Sequence, residues 1–380
     1  MRVLIVLALV CGMAVSAHAE LPAEPIPNVL SLETPYPPNY AVVHDFAFGG
    51  LIDSKFAVVD TKTQRFKGMM SAGQFANIDF SVARQKFYVG ETVHTRGTRG
   101  DRQDIVAIYD FENLSLQNEI DLPPKRMNVV VNLSTSVITD DDKFLLVFNM
   151  NPRTSVTVID LDKEAVVNEI DMPGCTLLYP DAQNGFFSLC GNGGLVRVGI
   201  DSEGKETDRH ASVAFNDIDN DPLSEKAARI GDTWFFITYA GEVQPVDASG
   251  TKPGIGKRWW LASEAEREAG YRPAGWHGKG SNSGNNLWVG MTPNGYEGSH
   301  KDPALEVWQF DTQARKLINK AELVTPALSI GVSKGGDGES AKLLVVNIEA
   351  GLDVYEASTG EYIHTIKALG DTPYMVQSID

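Results

Sequence analysis

An all-β fold, a seven-bladed β-propeller of four-stranded blades closed by its own C-terminal strand, is what this 380-residue sequence predicts. Three observations carry the prediction. Alternating apolar runs that end in an acidic turn recur seven times, at Asp60, Asp110, Asp160, Asp201, Asp247, Asp311 and Glu356, in steps of 50, 50, 41, 46, 64 and 45 residues. Two further strand-like runs lie between copies, and four strands per repeat at this period is the pattern of propeller blades. The ending "TPYMVQSID" is a strand without a hairpin partner, placed to complete the first blade and remove an open edge.

The N-terminus precedes that pattern. Arg2, the apolar run "VLIVLALV" and the small-x-small triplet at residues 17–19 read as a secretory signal over 1–19. An extended segment over 20–40 and the propeller over 41–380 follow, and no second apolar run is long enough to span a bilayer. The expected location is the periplasm, reached by secretion through the signal peptide. Cleavage removes Cys11 and leaves Cys175 and Cys190, for which a disulfide is the default expectation in an oxidising compartment.

Each copy reads as strand, polar turn, strand. "FAVVDTKTQRFKGMM", "DIVAIYDFENLSLQNEIDLP" and "TSVTVIDLDKEAVVNEIDMP" show it most clearly, with "FANIDFSV", "QKFYVGETV", "VVVNLS" and "KFLLVFNM" supplying the intervening strands. The turn acids are expected to bond backbone amides of their own turns rather than to react. Cys175 and Cys190 bracket the next pair of strands, so their bond would pin one blade to itself. The long sixth step contains the one helix-like stretch, "LASEAEREAG".

A formal net charge of −17 argues against nucleic acid or an anionic membrane as partner. Chemistry is hard to find. His44, His94, His210, His277, His300 and His364 are scattered singly. Asp217, Asp219 and Asp221 alternate like the start of a calcium loop, but Pro222 replaces its glycine and Ala228 its bidentate glutamate. No nucleophile elbow, Walker loop or dinucleotide fingerprint is present. Trp259 and Trp260 read as packing. "ETVHTRGTRGDRQD" stands out, because Arg96, Arg99 and Arg102 cluster near Asp101 and Asp104; it reads as an interface with another chain or as an ion-paired connection. The residues alone thus favour a scaffold or binding subunit.

At "VVHDFAFGGLIDSKFAVVDTKTQRFKGMM", "HTRGTRGDRQDIVAIYD", "IDLPPKR", "CGNGGLVRVGIDSEGK", "GYRPAGWHGKG" and "GYEGSHKDPALEVWQFDT" the chain resembles the heavy subunit of the quinoprotein amine dehydrogenases. "LPPKR", "GNGGL" and "EGSHKDPALEVW" resemble the aromatic (aralkylamine) branch more than the methylamine branch. The resemblance implies a non-catalytic, seven-bladed chain with one disulfide, in a heterotetramer of two heavy and two light chains. The light chain would carry the tryptophan tryptophylquinone cofactor and the catalytic base, leaving neither cofactor nor metal on this chain. The reaction would take a primary amine and water to an aldehyde and ammonia. Electrons would leave to an azurin-like or amicyanin-like copper protein. Phe48 matches the family phenylalanine that lines the substrate channel. Gly49 and Gly50 replace the bulkier residues of the aromatic branch and would widen that channel. Two readings from other classes are a propeller lactonase with its own channel site and a propeller that only binds a ligand or protein.

Overall fold

The computed structural model describes residues 31–130, 132–281, 284–336 and 338–379, and the expected signal peptide lies outside them. Strands inside the sheets, such as Tyr40–Asp45, Phe144–Asn149 and Ser155–Asp160, are buried on both faces, while outer strands such as Arg65–Ala72 and Leu116–Leu122 are largely exposed. The strands Tyr40–Asp45, Ser54–Asp60 and Arg65–Ala72 form the first sheet, with the C-terminal strand Pro373–Ser378 hydrogen-bonded antiparallel along its inner edge. Gln74–Ser81, Lys86–Arg96, Arg99–Asp110 and Leu116–Leu122 make the second. Ser136–Ile138 begins the third and Cys175–Pro180 the fourth, each with three more antiparallel strands. The fifth starts at Leu223–Ile230 and carries the short strands Gly254–Ile255 and Trp259–Trp260 on Glu242–Asp247.

The chain is an all-β propeller, but the expectation of seven separate blades is corrected. Five sheets of blade size are present, and the remaining strands, from Arg272–Pro273 to Tyr362–Ile366, form one continuous eight-stranded sheet. The cause is the 17-residue strand Lys316–Val332. Its first part pairs with Ala304–Asp311 and its last part with Lys342–Asn347, with only a register shift between. The sequence offers Pro326 but no turn there, so the strand runs on, although both ladders skip residues 323–326.

Other expectations fare variously. The turn acids do bond their own turns: Asp60 accepts from the amides of Lys62 and Thr63, Asp160 from Asp162 and Lys163, and Asp311 from Gln313 and Ala314. Glu356, one methylene longer, instead accepts from Ser340 Oγ and Lys342. The described residues of "VVVNLS" are not strand; Asn132 caps a 3-10 turn over Leu133–Thr135, and the strand starts at Ser136. The helix lies at Glu264–Glu268, with Ser263 and Glu266 closing a reciprocal capping box. Cys175 and Cys190 are opposite one another on adjacent strands and are disulfide-bonded. A loop of 15 residues closed this way stabilises by about 3 kcal/mol in the chain-entropy model. No helix among the described residues is long and apolar enough to cross a membrane.

Candidate functional site

Inner strands surround a central channel, and its mouth is built from the segment after the first strand. Asp45, fully buried, accepts hydrogen bonds from the backbone amides of Ala47 (3.1 Å), Asp371 (2.9 Å) and Thr372 (2.8 Å). This carboxylate ties the start of the loop to the start of the C-terminal strand. The loop needs such an anchor, because Ala47 and Leu51 take left-handed backbone conformations (φ 48° and 58°) that side chains with a Cβ disfavour. The Phe48 amide adds a 2.8 Å bond to Thr372 Oγ1.

Phe48 is thereby held at the surface, 41% exposed, with its ring 4.5 Å from that of Phe46 and 5.5 Å from that of Tyr374. Phe46 packs on Phe75 from the second sheet, and Tyr374 on Trp276 and His277 from the eight-stranded sheet. Rings from three sheets thus converge on one rim, beside the exposed Leu51 and Ile52. Burial pushes the Tyr374 phenol far above its ordinary pKa, so it acts as wall rather than acid or base. At Gly49 and Gly50 an added Cβ would meet nothing nearer than 3.6 and 3.9 Å, and neither φ is positive. The backbone does not demand glycine there; the effect is an open rim.

Two of the resembling motifs meet behind the rim. Asp104 accepts from the Arg102 guanidinium and from the Arg126 amide, while the buried Arg126 donates to the carbonyls of Phe75 (2.9 Å) and Gln74 (3.0 Å). Phe75 also has a positive φ, 49°, so Arg126 holds the ring's backbone in place.

Deeper in, the waist is polar. Lys279 donates to Ser224 Oγ at 2.7 Å, and Lys226 pairs with Glu225 at 3.0 Å while sitting 4.6 Å over the Trp276 ring. Burial, reinforced by Lys226, pushes Lys279 down to about 7. Burial, then Lys301 and Lys226, takes His300 down to about 4, stacked 3.6 Å from Tyr239. His44, bonded to Ser54 Oγ, is pushed down to about 3 by burial and then His277, so it is neutral. Beyond the waist the channel widens into a 710 Å3 cavity lined by Asp79, Asp140 and Arg229 among others. Asp79 accepts from Ser136 Oγ, and burial pushes its carboxyl up to about 7.

The residues singled out by sequence separate accordingly. Phe48 stands at the mouth. Arg96 and Arg99 are exposed at the tip of a hairpin whose strands, 11 and 12 residues long, are the longest of the second sheet, whereas Arg102 is committed to Asp104. Ile52 lies under that tip, 3.7 Å from where a Gly97 Cβ would be. Asp217 bonds its own turn through Asn220, Trp259 is core, and Arg267 covers Trp260. Missed were Asp45, Tyr374, Lys226, Lys279 and Asp79. Only Asp45 left a local signal, an acid two residues before Ala47, which is the spacing of an Asx turn.

A family model described as "Methylamine dehydrogenase heavy chain (MADH)" matches residues 40–380. The chain belongs to that family. It is 26% identical over 332 residues to the methylamine dehydrogenase heavy chain of Methylorubrum extorquens, covering 86% of this chain and 80% of the relative. With the corresponding protein of Paracoccus versutus it shares 28% over 357 residues, 92% of this chain and 82% of the relative. Among solved structures, the periplasmic gluconolactonase of Pseudomonas aeruginosa superposes with TM-score 0.61 at 14% identity, covering 89% of this chain and 98% of that one. A dihydro-heme d1 dehydrogenase superposes with TM-score 0.54 at 13% identity, over 90% and 75%. At such identities these two share the fold alone. This protein is therefore the heavy chain of an amine dehydrogenase type of oxidoreductase. The relatives' names give no support to the aralkylamine branch over the methylamine branch.

Proposed function

We propose that the chain acts in the periplasm as the non-catalytic half of an amine dehydrogenase, covering the active site of a light chain and admitting amines through the rim around Phe48. The observation that carries this is the rim itself. It is a converging set of rings, open at Gly49 and Gly50 and flanked by exposed Leu51 and Ile52. Apolar walls and few polar groups are what select a small organic substrate and exclude water.

The tryptophan tryptophylquinone of the light chain would supply the redox chemistry, with an azurin-like or amicyanin-like copper protein taking the electrons. This chain's residues then have positioning roles. Phe48 and Tyr374 bound the amine's side chain, Asp45 and Arg126 fix the backbone that carries the rings, and Arg96 with Arg99 reach toward the partner. An open rim supports bulky aralkyl amines as substrates. The relatives' names favour methylamine as the second reading.

The test is to purify the native protein with whatever co-elutes, stain a denaturing gel for quinone, and record the visible spectrum. A small stained band and a chromophore bleached by an amine are expected. Comparing phenylethylamine, tyramine and methylamine ranks the two substrate readings. A colourless chain without a partner sinks the proposal.

A further inference from the structure

The waist of the channel carries more positive charge than its protein partners balance. Two ammonium groups, of Lys226 and Lys279, face one carboxylate, Glu225. Glu225 is bound to Lys226, while Lys279 has only Ser224 Oγ as hydrogen-bond partner among the described residues. A 30 Å3 cavity lies between them, bounded also by Asn132, Ser134 and His277. That is room for one small species. Its lining is rich in donors: besides the two ammoniums, the Asn132 carbonyl oxygen already accepts from the Ser134 amide, so its NH2 group is what remains to offer.

We infer that this cavity is a binding site for a single small monovalent anion of chloride size, held between the ammonium groups of Lys226 and Lys279. The physical argument is one of charge balance. A buried ammonium without a counter-charge is costly, and the cost is relieved by losing the proton or by acquiring an anion. The other groups do not supply the missing charge below about pH 7: Asp140, which lines the wider cavity with Lys279, is paired with Arg229, and burial pushes Asp79 in the same cavity up to about 7. His300 is neutral above about pH 4, burial keeps the Tyr239 phenol protonated, and any proton on His277 would add positive charge. Glu225, despite its burial, is kept below its ordinary pKa by Lys226, so it is ionised and already counted. Lys279 remains partly accessible from the channel, which gives an ion a way in. Occupancy also reaches the mouth, since Lys226 lies over Trp276 and Trp276 packs on Tyr374.

Anion binding and protonation of Lys279 are then linked. The anion binds the charged form, which is depleted as pH rises through about 7, so affinity falls by about tenfold between pH 6 and pH 8. The experiment is thermal melting of the native protein, with any subunit it carries, in sodium bromide against sodium gluconate at equal ionic strength. A saturable bromide-dependent rise in Tm is expected, weaker at pH 8 than at pH 6 and absent in Lys279→Met. Crystals grown with bromide should show an anomalous peak between Lys226 and Lys279, which decides the matter even if the variant does not fold. Equal melting in both salts, a rise without pH dependence, or bromide peaks only elsewhere would each overturn the assignment.

Discussion

The mouth and the waist of the channel belong to the same ring of inner strands, yet they are held by opposite means. At the mouth the polar groups point at backbone. Asp45 takes three amides and Arg126 two carbonyls, so that Phe48 and Phe75 stand on segments whose conformations are otherwise unfavourable. At the waist the polar groups meet side chain to side chain, Glu225 with Lys226 and Lys279 with Ser224, where the strand Leu223–Ile230 shifts register between Ser224 and Ala228. The difference separates shape from charge. Rings can be aimed only if the chain beneath them is fixed, whereas a charge cluster needs only strands that bring it together.

The comparison breaks most visibly at Asp45. Asp45→Ala leaves the buried Ala47 amide and the part-buried Asp371 and Thr372 amides without this acceptor and should cost on the order of 2 kcal/mol, read as a fall in the denaturation midpoint. A loss under about 1 kcal/mol would show that the mouth loop holds itself.

Asp79 sharpens the contrast from the polar side. Its folded pKa of about 7 lies above the unfolded 3.8. The unfolded chain therefore releases this proton first, stability from the group declines as pH rises from about 4, and the decline is complete above about 7. Asp79→Asn, which keeps an acceptor for Ser136, should remove that decline and be more stable than the parent at pH 8 by about 1 kcal/mol, discounted because Asp79 retains some exposure to the cavity. An unchanged difference between parent and variant at pH 5 and pH 8 would show that Asp79 stays ionised.

Phe48→Ala tests shape alone. The ring is 41% exposed, so stability should barely move, while the kcat/KM ratio between bulky and small amines should shift several-fold, about 1 kcal/mol. A constant ratio removes Phe48 from the substrate path. The smallest effect on the chain itself is expected for Arg96→Glu with Arg99→Glu. Both side chains are exposed at a hairpin tip, so the melting curve should stay within about 0.5 kcal/mol of the parent. Weakened capture of the light chain in a pull-down would place the tip at the interface, and unchanged capture would remove it.

Much of this was legible in the sequence where the signal is local. Period-two alternation located the strands, the turn acids behaved as Asx turns, and two cysteines flanking a hairpin became a cross-strand bond. The failures arose where meaning lies in long-range pairing. Nothing local distinguishes a strand that ends after Ala321 from one that continues to Val332, so the fusion of two repeats into one sheet was invisible. Tyr374 and Trp276 sit in motifs read only as strand and turn, and they become a wall because strands nearly a hundred residues apart share one rim. Lys226 and Lys279, 53 positions apart, look like ordinary surface lysines until the inner strands face each other.

The bond between the first strand and the last has a consequence for the order of events during synthesis. Residues 40–72 emerge first, and the strand that covers their inner edge is made roughly 300 residues later. Until then the opening sheet waits with a bare row of donors and acceptors, able to pair with the wrong neighbour, and the whole ring must rely on a contact of very high sequence separation to lock. A chain that stopped before Pro373 would lose far more than the missing strand's length suggests, because it would be left with a ring that never shuts.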